Sequence, residues 1–163
     1  NSILHINNFK PKNILDIGCG CGAFSKVISE QFPDIEYTGM DYSEDAVELA
    51  KKTWESDSFM INDVMNLKEE DVSDYDLLFV GALFDVMPNG DEAMEHLMSI
   101  CSTSILISRI KLTENESFYT TYTAYDEIET CAYHHNVSNF VDLCQKYSYD
   151  IYNIQSDIYL VKR

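Results

Sequence analysis

The feature that most constrains the fold is a short apolar run that leads directly into a cluster of glycines. Residues 14–22 read Ile-Leu-Asp-Ile-Gly-Cys-Gly-Cys-Gly, and apolar residues recur at spacings of three and four from Phe24 to Phe32. This pattern predicts a buried strand, a loop, and a helix that ends before Pro33. Only glycine lets a ligand approach the backbone of such a loop closely, and the following helix N-terminus favours polar groups. We therefore expect a cofactor site here.

The rest of the chain continues this alternation of strand and helix. Further strands are predicted at residues 35–40, 58–61, 76–80 and 104–110, and helices are predicted after the N-cap Ser43, at 91–101 and at 137–147. Two short runs at 149–154 and 158–161 predict a terminal antiparallel hairpin. A chain of 163 residues has the length of one α/β domain, so we expect a single domain over residues 1–163. The alternation calls for right-handed crossovers between parallel strands. We expect a doubly wound, mostly parallel seven-stranded sheet with a C-terminal antiparallel hairpin and helices on both faces.

Composition narrows the range of partners. The chain has 11 lysines and arginines against 28 acidic residues, for a net charge of −17, which would repel a nucleic-acid backbone. The five cysteines lack paired C-x-x-C spacing and favour a reducing, cytoplasmic location, and no apolar run approaches the roughly 20 residues that span a membrane. The chain begins at Asn1, close to a strand, so we expect that an N-terminal cap of a longer protein is missing.

The glycines alone fit two kinds of cofactor. Gly18, Gly20 and Ala23 match the permissive form of the dinucleotide fingerprint, with an acidic residue about 20 positions further on. Asp16 favours the second kind, because a carboxylate at the end of the first strand would repel a pyrophosphate. The same carboxylate would attract a ligand that carries an ammonium and a sulfonium group.

With Asp16, Gly18, Gly20 and Gly22 in this spacing, the chain resembles the class I S-adenosylmethionine (SAM) dependent methyltransferases. The resemblance implies SAM as cofactor, with S-adenosylhomocysteine (SAH) as product. It also implies that Asp41 holds the ribose hydroxyls and that Asp63 meets the adenine amino group. The implied cofactor-binding residues are Asp16, Gly18, Gly20, Gly22, Asp41, Tyr42, Asp63, Val64 and Gly81. A turn or capping role is the alternative for the three aspartates.

The methyl acceptor is less well defined by the sequence. In the family that the chain resembles, the segment after the fourth strand reaches the acceptor, and here it spans residues 80–87. It lacks the motifs used for methylating adenine, glutamine or cytosine. Asp85 is a candidate for accepting a proton or binding a cationic acceptor, with a helix-start or surface role as the alternative. We expect a hydroxyl or amine of a small molecule, such as a sugar or secondary-metabolite intermediate, to be the acceptor.

Residues 113–136 form a polar segment that is long for a connection, so we expect a lid or substrate loop there. Its tyrosines and histidines are Tyr119, Tyr122, Tyr125, Tyr133, His134 and His135. His134 and His135 are candidate general bases, with solvated histidines of a packed flap as the alternative. Arg109 is a candidate contact for an acidic acceptor group. No cluster has the spacing of metal ligands, so no metal site is predicted.

Three functions remain open at this point. The leading one is a SAM-dependent methyltransferase that acts on a small molecule, without a nucleic-acid or membrane partner. The second is a non-catalytic protein of the same fold that serves in regulation or assembly. The third is a nicotinamide-dependent dehydrogenase, which would need a dinucleotide at the same glycine loop.

Overall fold

A computed structural model describes residues 9–124 and 128–163, and the side chains of all of these except Ala124 and Ile128. The strands within these residues are β1 (Asn13–Ile17), β2 (Glu36–Asp41), β3 (Phe59–Ile61), β4 (Leu77–Gly81), β5 (Ser104–Ser108), β6 (Leu112–Thr113), β7 (Phe118–Ala124), β8 (Ile128–Asn136), β9 (Asp150–Gln155) and β10 (Ile158–Lys162). The helices are α1 (Ala23–Gln31), α2 (Glu44–Trp54), α3 (Glu69–Val72), α4 (Gly90–Ile100) and α5 (Val137–Lys146), with a 3-10 turn over Val64–Asn66. No helix of this described part is long and apolar enough to cross a bilayer.

Seven strands form the main sheet in the order β3-β2-β1-β4-β5-β10-β9. The first five are parallel, and β10 is antiparallel to both β5 and β9. The carboxyl ends of β1 to β5 therefore lie along one edge of the sheet, where open α/β sheets bind their ligands. The predicted α/β architecture with a C-terminal antiparallel hairpin is confirmed.

Helices cover both faces of this sheet. Successive residues of each strand point to opposite sides, so both faces carry apolar side chains that the helices bury. Leu15 of β1 belongs to the larger core cluster, together with residues of α4 and α5 such as Met94 and Phe140. Ile14, the preceding residue, belongs to a second cluster with Ile28 of α1. The strands are apolar on both faces, as expected for the buried middle of a doubly wound fold.

The segment 113–136, for which a lid or substrate loop is predicted, is largely β structure. Strands β6, β8 and β7 form a separate three-stranded sheet in that order. β7 and β8 pair antiparallel from Phe118↔His134 to Ala124↔Ile128. The aromatic and β-branched residues of β7 favour a strand, although its threonines give the segment a polar composition. Tyr125 lies outside the described residues.

Candidate cofactor and acceptor site

The glycine loop is held to the neighbouring strand by backbone hydrogen bonds. The N–H groups of Gly18 and Cys19 both donate to the carbonyl of Met40 in β2, at 2.8 and 2.9 Å. Trp54 at the end of α2 donates its indole N–H to the carbonyl of Cys21 at 2.8 Å. These contacts fix the loop between the ends of β1 and β2, in front of α1.

Two of the loop glycines serve different purposes. Gly22 has a φ of +72°, and a Cβ added to it would lie 2.5 Å from Cε1 of Phe59, so packing as well as backbone conformation requires glycine. Gly20 has a φ of +53°, but a Cβ there would meet nothing within 4 Å. The backbone at Gly20 therefore faces open space, as a loop that approaches a ligand requires.

Asp41, at the end of β2, is tied to this loop by both of its carboxylate oxygens. Oδ2 accepts a hydrogen bond from the N–H of Gly20 at 2.8 Å, and Oδ1 accepts one from the N–H of Ser43 at 2.9 Å. Asp63, which follows β3, caps the 3-10 turn by accepting a hydrogen bond from the N–H of Met65 at 2.9 Å. Both carboxylates therefore have the capping or turn contacts that the sequence left open, and both also line a cavity.

Two cavities lie beside the glycine loop. The first, of about 310 Å³, has both polar and apolar lining residues, which are Ile17, Gly18, Met40, Asp41, Tyr42, Asn62, Asp63, Val64, Leu83, Val86, Met87 and Pro88. The second, of about 330 Å³, is lined by Asp16, Gly18, Cys19, Ala23, Phe24, Val27, Phe79 and Gly81. Gly18 borders both, so the cavities adjoin at the loop. Each has the volume of a small-ligand site.

Asp16 brings a buried carboxyl group to the second cavity. It is 3% exposed, and its Oδ2 accepts a hydrogen bond from the hydroxyl of Tyr37 at 2.7 Å. Burial raises the pKa of Asp16 to about 7, and the hydrogen bond from Tyr37 opposes this while the nearby Asp41 carboxylate adds to it. Asp16 can therefore change its protonation state near neutral pH.

Cys19 of the loop faces the same cavity. Burial, followed by the negative charges of Asp16 and Asp41, raises the pKa of the Cys19 thiol to about 12. The thiol therefore stays protonated at neutral pH and has little nucleophilic character.

Asp85 lies in the segment after β4, next to residues that line the first cavity, but its own side chain is only 2% exposed. Its Oδ2 is 3.7 Å from Nη2 of Arg109, and its Oδ1 has no hydrogen-bond partner among the described residues. Burial raises the pKa of Asp85, while the charges of Arg109 and Lys111 oppose the shift. Asp85 and Arg109, two separate candidates in the sequence, thus form an ion pair in the structure.

The structure does not bring His134 or His135 to either cavity. His135 is fully buried, and its Nδ1 lies 2.6 Å from Oδ1 of Asp91, in the first turn of α4. His134 stacks on Phe118, with 4.6 Å between ring centroids. A general-base role for either histidine stays a prediction. The pairing of His135 with Asp91 joins residues 44 positions apart, and no local sequence signal indicates it.

A family model described as a methyltransferase domain matches residues 15–103, which is more than half of the chain. The chain belongs to the methyltransferase domain family. The resemblance drawn from Asp16 and the loop glycines is therefore confirmed, together with the class I SAM-dependent methyltransferase fold that it implied. The matched region includes Asp41, Asp63 and Gly81.

Individual relatives agree with this assignment. The methyltransferase domain is 37% identical over 94 residues to malonyl-[acyl-carrier protein] O-methyltransferase 1 of Ilyobacter polytropus, in an alignment that covers 56% of this chain and 34% of that protein. It is 29% identical over 89 residues to trans-aconitate 2-methyltransferase of Escherichia coli O1:K1 / APEC, covering 55% of this chain and 34% of that protein. These alignments span about a third of the length of either relative.

A solved structure extends the likeness beyond the region that the family model matches. A SAM-dependent methyltransferase from Methanosarcina mazei superposes on the methyltransferase domain with a TM-score of 0.67 at 16% identity, covering 96% of this chain and 94% of that one. At this identity the likeness concerns the fold. Its coverage of 96% of the chain is larger than the matched residues 15–103.

Proposed function

We propose that this methyltransferase domain binds SAM in the two adjoining cavities and transfers its methyl group to a small-molecule acceptor. The observation that carries the proposal is the arrangement of Asp16, Asp41 and Asp63 at the ends of β1, β2 and β3, around cavities that meet at Gly18. Three carboxylates at successive strand ends suit a ligand that presents cationic groups, sugar hydroxyls and an amino group.

The lining residues fit the parts of this ligand. The second cavity offers the Asp16 carboxyl to the ammonium and sulfonium groups, whose positive charge would favour its ionised form. In the first cavity, Asp41 can accept hydrogen bonds from the ribose hydroxyls through its remaining lone pairs. Asp63 can accept one from the adenine amino group. Val64 and the apolar side chains of the 80–87 segment flank the space left for the adenine ring.

SAM supplies an activated methyl group on its sulfonium and leaves as SAH. The protein's task is then to position the acceptor and exclude water, which can account for much of the rate acceleration. An acceptor hydroxyl must also lose a proton to a neighbouring group or to solvent. A proton-accepting role for Asp85 stays a prediction, because Asp85 lines neither cavity and its buried carboxylate lies beside Arg109.

For the acceptor, we propose a small molecule that reacts through a hydroxyl or amine. The net charge of −17 argues against a nucleic-acid acceptor. The relatives named for malonyl-[acyl-carrier protein] and trans-aconitate support a carboxyl oxygen as a second candidate.

A non-catalytic regulatory or assembly role is the competing function, and one experiment separates the two. Purified protein is incubated with SAM carrying an isotopically labelled methyl group and a bacterial metabolite extract, and new labelled small molecules are detected by mass spectrometry. We expect labelled products that disappear when excess SAH is added. Tight SAH binding without any labelled product would instead support the non-catalytic role.

A further inference from the structure

Two positively charged side chains stand at the carboxyl edge of the sheet in an otherwise acidic chain. Arg109 directly follows β5, and Lys111 comes two residues later. The chain has only 11 lysines and arginines against 28 acidic residues. A local pair of positive charges at the ligand-binding edge therefore contrasts with the net negative charge of the chain.

The backbone around Arg109 adjoins the segment that borders the cavities. Gly81 at the end of β4 is in register with Ser108 of β5, and the N–H of Ala82 donates to the carbonyl of Ser108 at 3.0 Å. Ala82 and Arg109 have φ values of 59° and 66°, a left-handed conformation that is uncommon for residues other than glycine. Strain of this kind is concentrated at functional sites.

Strand β8 secures both strained segments. The N–H of Tyr133 donates to the carbonyl of Asp85 at 2.8 Å, and the N–H of His135 donates to the carbonyl of Lys111 at 2.8 Å. The loop after β4 and the loop after β5 are thus held side by side by one strand. This arrangement keeps Arg109 next to the loop that carries Asp85.

Most of the hydrogen-bonding capacity of Arg109 is unused. Its side chain is 60% exposed, and the 3.7 Å separation from Asp85 is longer than a hydrogen bond. Among the described residues, no side-chain hydrogen bond from Arg109 is present. A guanidinium has five N–H donors in a planar fork, which matches a carboxylate in a bidentate manner.

We propose that Arg109, assisted by Lys111, binds a carboxylate group of the methyl acceptor. Asp85 then serves as a buried counter-ion that orients the guanidinium from the protein side, while the acceptor approaches from the solvent side. The inference rests on the proposed function, because it places the acceptor beside Gly81 and the second cavity. It narrows the acceptor class to small organic acids.

The test is a calorimetric titration of the SAH-loaded protein with acetate, malonate, succinate and trans-aconitate, with the neutral methyl esters of these acids, and with inorganic phosphate. We expect at least one of the acids to bind, and its ester to bind at least about tenfold more weakly. Arg109→Gln should weaken acid binding by about tenfold or more and leave SAH affinity within about twofold. Arg109→Lys should lie between, since lysine keeps the charge without the fork.

Lys26→Gln is the matched control, because Lys26 on α1 is an exposed cation paired with Glu30 at 3.7 Å and its loss changes the net charge equally. Thermal unfolding of each variant checks that it is folded, and Lys111→Gln provides a second variant, expected to weaken acid binding by a smaller factor. Absence of binding by every acid, tighter binding of inorganic phosphate, or acid binding unchanged in Arg109→Gln would each overturn the proposal. If the proposed function is wrong, SAH itself does not bind. The acid titration is therefore repeated without SAH, so that a failure of acid binding is distinguished from a failure of cofactor binding.

Discussion

Replacing Asp16 by asparagine should change how the stability of the domain depends on pH. The substitution keeps the size of the side chain and an oxygen that can accept the hydrogen bond from the Tyr37 hydroxyl, but it removes the buried charge. Asp16 is 3% exposed, and its pKa is raised from 3.8 to about 7. The carboxylate form is therefore costly in the folded protein without a cationic ligand.

The direction of this pH dependence follows from the number of protons bound by the folded and the unfolded protein. Between about pH 4 and pH 7 the folded protein retains the Asp16 proton that the unfolded chain has released, so stability falls as the pH rises through this range. A shift of about 3 pH units corresponds to roughly 4 kcal/mol once both states are ionised. From pH 5 to pH 8, the unfolding free energy of the wild type should fall by about 2.5 kcal/mol relative to Asp16→Asn.

The assay is urea unfolding of both proteins at intervals from pH 5 to pH 8, without ligand. The same difference should appear as a shift in melting temperature of roughly 5–10 °C between the two ends of the range. Asp57→Asn, which removes an exposed carboxylate, reports the effect of net charge alone. A difference in unfolding free energy between wild type and Asp16→Asn that does not vary with pH would refute a raised pKa for Asp16, and so would a loss of relative stability of the variant at pH 8.

Two further substitutions test the packing around the site. Gly22→Ala should lower the unfolding free energy, measured by urea titration, several times more than Gly20→Ala does. Both substitutions introduce backbone strain of about 1 kcal/mol, but only Gly22→Ala places a Cβ 2.5 Å from Phe59. Equal losses of stability in the two variants would contradict a packing role for Gly22. His135→Gln should lower stability by about 1–3 kcal/mol through loss of the buried contact with Asp91, with little change in methyl transfer. A drop in the transfer rate of about a hundredfold or more at unchanged stability would instead favour His135 as a general base.

The glycine loop was predictable because the constraint is local. The apolar run 14–17, the glycines and the spacing from Phe24 to Phe32 indicate strand, loop and helix without reference to the rest of the chain. Ser43 was likewise predicted as an N-cap, and its hydroxyl accepts a hydrogen bond from the N–H of Ala46 at 3.3 Å. For Asp63, capping and cofactor binding were treated as alternatives, whereas one carboxylate oxygen caps the turn and the residue still lines the cavity.

The rest depends on contacts between distant parts of the chain. Strands β7 and β8 were missed because neither has a continuous apolar pattern. β7 mixes tyrosines with threonines and is largely exposed, and β8 carries a glutamate, a threonine and two histidines among its apolar residues. His135 is buried beside Asp91, and the exposed Arg109 lies beside the buried Asp85. Such pairings follow from the sheet topology and not from spacing in the sequence.

The most direct measurement of the central claim is calorimetric titration of the protein with SAH. We predict one SAH bound per chain, and an affinity reduced by about tenfold or more in Asp41→Ala, which removes the carboxylate at the end of β2. Asp45→Ala, in the exposed first turn of α2, is the matched control and should bind as the wild type does. Absence of SAH binding by the wild type, or an affinity unchanged in Asp41→Ala, would contradict the account.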